Sequence, residues 1–151
     1  MISLKRIVSK QLGELLKERN IINDAQLKEA LAVQQEKGGL IGEILISLGY
    51  AKEEEIAHAL TVQYGFPYLP LDSYEIDPEV IKTIPRELAK KHGVIPIDKI
   101  GTTLTVAMIN PLNINAIEEL ETLSKCALQP FVTTTTSFQK AFKKYYLKGE
   151  K

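Results

Sequence analysis

Residues 11–34 read QLGELLKERNIINDAQLKEALAVQ, and residues 40–63 read LIGEILISLGYAKEEEIAHALTVQ. The strings superpose at a constant offset of 29 residues without a gap, pairing Leu12 with Ile41, Gly13 with Gly42, Glu14 with Glu43, Leu16 with Leu45, Leu27 with Ile56, Ala30 with Ala59, Leu31 with Leu60, Val33 with Val62 and Gln34 with Gln63. Apolar matches at helical spacing arise from packing alone. A matched Gly-Glu pair and a matched closing Gln do not. Two copies are too few for a solenoid, which stacks three or more units to bury its faces. The expected arrangement is therefore a pseudo-twofold pair of units building one site or one surface.

Within each copy the spacing predicts two helices. Leu4, Ile7, Val8, Leu12, Leu15 and Leu16 place one apolar stripe on a helix over 4–19, ended by Asn20, a residue that tolerates left-handed backbone. Gly49 holds the equivalent place. Asn23 followed by Gln26 reads as a capping box opening a helix to about Gln35, with Leu27, Ala30, Leu31 and Gln34 inward. After Gly38-Gly39 the pattern restarts as helices 40–48 and 53–64, the latter with Ile56, Ala59, Leu60 and Gln63 inward.

Beyond Gly65, Phe66-Pro67-Tyr68-Leu69-Pro70-Leu71 cannot be helix interior and should run extended. Asp77-Pro78 opens a helix with Asp as cap and Pro at its first position, and Pro85-Arg86-Glu87 opens a second, ending at Gly93. Strands are expected at Val94–Ile97 and Thr103–Ile109, joined as a hairpin, and at Leu128–Thr134. A helix over Ile114–Ser124 should turn Ile117, Leu120 and Leu123 inward. Ser137 is expected to cap a last helix through Tyr146, burying Phe138, Ala141, Phe142 and Tyr145. The fold class is α+β: a duplicated helical unit (1–65), a proline-containing connector (66–80) and a small α/β unit with a three-stranded sheet (81–151).

With 44% apolar and 25% charged residues, and nineteen basic residues against nineteen acidic, the chain is globular in composition and carries no net field toward nucleic acid. DNA binding and membrane insertion are not expected. The single Cys126 excludes an intrachain disulfide framework and a thiolate zinc cluster, and a reducing cytoplasmic setting fits. No Gly-Lys dipeptide occurs, hence no phosphate-binding P-loop, and no Gly-x-Gly-x-x-Gly, His-Glu-x-x-His or Cys-x-x-Cys is present. His58 and His92 are expected at the surface or at a helix cap, and Glu14 and Glu43 either as solvated first-turn residues or as a binding pair, since a carboxylate can accept two hydrogen bonds from a guanine edge. No catalytic, metal-binding or cofactor-binding set assembles, so the chain is read as a non-enzyme.

Leu-Gly-x-x-Leu, a turn residue, two apolar residues and Leu-x-x-x-Leu-x-x-Gln, duplicated across the spacer 35–39, resembles the N-terminal domain of type II secretion and type IV pilus assembly ATPases, in the form called MshEN, a cyclic di-GMP receptor. Ile84-Pro85-Arg86-Glu87-Leu88-Ala89, Leu104-Thr105-Val106-Ala107-Met108-Ile109-Asn110-Pro111 and the closing helix extend the likeness over about 8–147. The resemblance implies cyclic di-GMP as ligand, touched by Leu12, Gly13, Leu27, Leu31 and Gln34 in the first copy and by Ile41, Gly42, Glu43, Ile56, Leu60 and Gln63 in the second. In that family an Arg precedes each Leu-Gly; here Gln11 and Leu40 stand in those places, and Asn110 stands where Asp is common before Pro. Gln offers a neutral amide and Leu no polar atom where Arg offers a charged fork, which implies weakened binding. The implied partners are an ATPase core or an inner-membrane platform protein. A nucleotide-independent adaptor linking the two is the alternative.

Overall fold

Asn20 and Gly49, the matched turn residues, both take left-handed backbone, with φ of 61° and 80°. They close the two turns with the same hydrogen bonds. Ile21 N donates to Leu16 O (2.9 Å) in the first copy, and Tyr50 N to Leu45 O (3.0 Å) in the second, the pattern of a helix ended by a left-handed residue. Each following helix is opened the same way as well, the Asn23 amide donating to Gln26 Oε1 and the Lys52 amide to Glu55 Oε1, both at 2.9 Å. The 29-residue repeat is thus a repeat of hydrogen bonds and not only of letters.

The computed structural model describes residues 12–147. Among these, α1 covers 12–18, α2 Asp24–Lys37, α3 Ile41–Ser47 and α4 Glu53–Tyr64. A 3-10 turn at Leu71–Ser73 follows, then α5 (Pro78–Ile81), α6 (Arg86–His92), β1 (Val94–Ile100), β2 (Thr103–Met108), α7 (Ile114–Ser124), β3 (Ala127–Val132) and α8 (Thr135–Tyr146). The fold is α+β. β1 and β2 form the expected antiparallel hairpin, bulged between Pro96 and Asp98, and β3 returns through α7 to pair parallel with β2. The start of the first helix and Gln11 lie outside the described residues.

Several expectations are corrected. Thr134, not Ser137, caps α8: its side chain accepts from the Ser137 amide, which makes Ser137 the third residue of the helix. Leu123 faces outward at 47% exposure, while Ala116 and Leu120 are the buried residues of α7. Gln63 is exposed rather than inward. His92 is neither a surface residue nor a solvated cap; it is 6% exposed, and its Nε2 bonds Glu119 Oε1. The hydrogen bond to His92 holds the Glu119 carboxyl below the usual glutamate range.

The connector does more than link. Leu69 N donates to Val132 O (2.9 Å) and Val132 N to Pro67 O (2.8 Å), so it pairs with the end of β3. The rest of that edge is closed too: Leu128 N donates to Glu121 Oε2, and Pro130 has no N–H. A sheet edge without free donors gives an incoming strand little to pair with. Partner docking by strand addition at β3 is thereby disfavoured.

Buried apolar side chains form two clusters, one from the repeats and one from the connector, sheet and later helices. They exchange residues. Val132, at the end of β3, is fully buried in the helical cluster, while Leu40, the first residue of the second repeat, packs on the α/β cluster.

Candidate functional site

In each repeat the Gly faces a large apolar residue in the first turns of its partner helix. A Cβ on Gly13 would lie 2.4 Å from Leu27 Cδ1, and one on Gly42 would lie 3.6 Å from Ile56 Cδ1 and 3.8 Å from Leu12 Cδ2. The first contact leaves no room for a side chain, so glycine lets the helices of that repeat approach closely; the second copy is looser. Leu12, Leu27, Ile41, Ile56 and Leu60 are all core residues, 5% exposed or less. Leu31, Gln34, Leu40 and Glu43 are half-buried and Gln63 is exposed, so the accessible part of the candidate set is small and mostly polar. Helical spacing could not separate these groups, because a stripe of leucines serves a core and a ligand face equally well.

The polar members are engaged unequally. Gln34 Nε2 donates to Gly39 O at 3.0 Å. Asn110 is buried, and its Oδ1 accepts from the Leu112 amide at 3.1 Å in a turn that leads into α7. Leu40, at one of the Arg places, turns a methyl toward Gly93, where an added Cβ would come within 3.2 Å of it.

One exchange sets the two copies apart. In the first copy Lys17 bridges Glu14 and Asp24, at 3.3 and 2.5 Å. The equivalents at offset 29 are Ile46, Glu43 and Glu53, so the second copy keeps both acids and loses the cation between them. Glu53 turns instead to Thr136. Glu43 gains no hydrogen bond or ion pair among the described residues, and burial pushes its carboxyl above the usual glutamate value.

A folded-state pKa raised above the unfolded one means that ionised Glu43 opposes folding. The penalty is full above the folded pKa and vanishes below the unfolded value near 4.5. Glu43→Gln is therefore expected to raise Tm at pH 7, with the gain fading as pH falls through the raised pKa toward 4. Thermal melts across pH 3.5–8 check this; a variant less stable than the unmodified chain at neutral pH would show that the carboxylate has a donor. A half-buried acceptor without a partner is also what a ligand carrying N–H groups would satisfy.

The α/β part that follows the repeats defines the class, and the chain belongs to it: the MshEN domain family matches residues 64–151. The type IV pilus assembly ATPase PilB of Myxococcus xanthus is 37% identical over 139 residues, which is 92% of this chain and 25% of that protein. The chain thus spans about a quarter of that relative. Among solved structures, that of MshE with cdg, cyclic di-GMP, superposes with a TM-score of 0.65 at 29% identity, over 89% of this chain and 98% of the other. The N-terminal domain of XpsE has the same fold, with a TM-score of 0.72 at 17% identity over 91% and 95%. Among the described residues no helix is long and apolar enough to cross a membrane.

Proposed function

We propose that this chain is a cytoplasmic regulatory and docking domain of a type II secretion or type IV pilus ATPase system, without chemistry of its own, and that its two repeats bind cyclic di-GMP weakly. One observation carries the ligand reading. Glu43 is half-buried and has no donor among the described residues, at the position whose first-copy equivalent is neutralised by Lys17. Nucleotide guanine edges present the paired N–H groups such a carboxylate accepts. MshE, a structural relative whose structure holds that ligand, supports the same reading. Gln34, Glu43 and Gln63 are its polar contacts, Leu31 its apolar one, and the buried residues of both repeats its scaffold.

A nucleotide-independent adaptor joining the ATPase to an inner-membrane platform is the second reading. What favours it is that Leu40 and Asn110, two candidate contacts, are spent inside the fold. Calorimetric and melting titrations with cyclic di-GMP at low salt separate the two. Ligand bound only by the native state raises stability by about 2.7 kcal/mol at 100-fold over Kd. Heat of binding, a higher Tm and perturbation of Glu43 support the receptor. No change at millimolar nucleotide, beside a stable complex with the platform's cytosolic part, supports the adaptor.

A further inference from the structure

α7 carries Glu118, Glu119 and Glu121 and no basic residue, while α8 carries Lys140, Lys143 and Lys144 and no acidic one. The chain is neutral as a whole and divided locally. Ala116 and Leu120 of α7, and Phe138, Ala141 and Phe142 of α8, pack into the α/β cluster, which leaves Glu118 and the three lysines exposed. Among the described residues Glu118, Lys140 and Lys143 take part in no ion pair. α6 joins the two helices: it packs on α8, and its His92 bonds Glu119 of α7. Its exposed residues include Glu87 in the first turn and Lys91 in the last, four positions apart and so on one line of the helix. Between α6 and α7 lies an open groove of about 470 Å³, with Leu88, Glu118 and Leu123 among its walls. Leu123, the apolar residue that the fold leaves uncovered at the end of α7, is one side of it.

We propose that this face of α7, α6 and α8 binds the same face of a second copy of the chain across a twofold axis through α6. What selects a second copy is that the face is its own complement. The rotation brings acidic α7 onto basic α8 and α8 onto α7, so each attraction is made twice, as an isologous contact requires. It also sets α6 antiparallel to its copy, with each Glu87 beside Lys91 of the other. Lysine stems from α8 cover Leu123 in the groove while their ammonium groups reach Glu118. A basic helix from another protein would use α7 alone and leave Lys140 and Lys143 unmatched. Helices about 10 Å wide that rise 1.5 Å per residue give the three outward faces roughly 450 Å² per copy, less than the roughly 800 Å² per partner of a standard interface. The dimer is therefore weak, and its exposed charges make it salt-sensitive. No residue of either repeat takes part, so the pairing stands apart from the nucleotide reading.

Sedimentation equilibrium of the unmodified chain, taken up to millimolar concentration at low salt, is expected to show monomer and dimer, with the dimer fading as salt rises to about 1 M. Glu118→Lys alone, and Lys140→Glu with Lys143→Glu alone, should each weaken the dimer by more than about tenfold, since like charges then meet at both contacts. Mixing these two variants should restore it, because each copy meets its opposite charge twice. That recovery also shows that both variants fold. A chain that stays monomeric at millimolar concentration, a dimer that both variants retain, or variants that mixing does not rescue would overturn the pairing. Growth beyond two copies would do the same, because an isologous contact closes at the dimer. A monomer whose Leu88 and Leu123 amides shift on adding a Lys- and Leu-rich amphipathic peptide would give the groove to another protein and overturn the second copy as its occupant.

Discussion

Gly93→Ala is expected to destabilise the chain by about 2–5 kcal/mol, from the combined cost of left-handed backbone and overpacking. Gly93 closes α6 at φ 62° and ψ 52°, where a Cβ meets the neighbouring carbonyl. The space is also taken: the new Cβ would lie 2.8 Å from Ile109 Cδ1 and 3.2 Å from Leu40 Cδ1. Neither side chain can move freely, because Ile109 is 5% exposed, and the Gly93 carbonyl, which accepts from Ile109 N at 3.0 Å, fixes the backbone beside it. Gly65 supplies the control. It ends α4 with φ 75° and nothing near its missing Cβ, so Gly65→Ala should carry only the backbone cost of about 1–2 kcal/mol. Urea melts of both variants give the comparison, and equal losses would show that Leu40 and Ile109 yield without cost. For a chain of this size the larger loss corresponds to roughly 5–15 °C in Tm. The expected excess at Gly93 measures how firmly the second repeat is seated on the α/β half.

How much of this was legible follows the range of the forces involved. The repeat, its turns at Asn20 and Gly49, the Asn23–Gln26 box and the bounds of α4 and α7 were readable, because each rests on residues within four or five positions of one another. The α8 cap was misplaced inside the run Thr133–Ser137, where every residue has a hydroxyl that could cap; contact with Glu53, 83 positions away, accompanies the choice of Thr134. His92 was misread for the same reason, its partner Glu119 lying on a different helix. Of the candidate site, the equivalence of residues was visible and their exposure was not. The Lys17 to Ile46 exchange stands in the alignment itself. Its consequence needed the position of Thr136.

Restoring arginine is expected to give the largest change in binding: Gln11→Arg with Leu40→Arg should tighten cyclic di-GMP by about 10²- to 10⁴-fold, since each charge-assisted hydrogen bond contributes roughly 1.5–3 kcal/mol. The two positions should contribute unequally. Leu40 packs on the α/β cluster beside Gly93, so an Arg there must leave apolar contacts and carry its guanidinium outward along its stem. Leu40→Arg alone is therefore expected to lower Tm, and ligand should recover part of the loss by binding the folded state. Kd measured for the unmodified chain, both single variants and the double variant closes a thermodynamic cycle in which coupling between the sites is read directly. A positive coupling means one ligand spans both repeats. Gain from each substitution without coupling would mean two separate anion contacts, and no gain from either would mean that the likeness to a nucleotide receptor stops at the fold. Tight binding by the unmodified chain has a different meaning: Gln34, Glu43 and Gln63 would then suffice, and the unpartnered carboxylate of Glu43 would be the contact that arginine supplements in relatives rather than a remnant of a lost site.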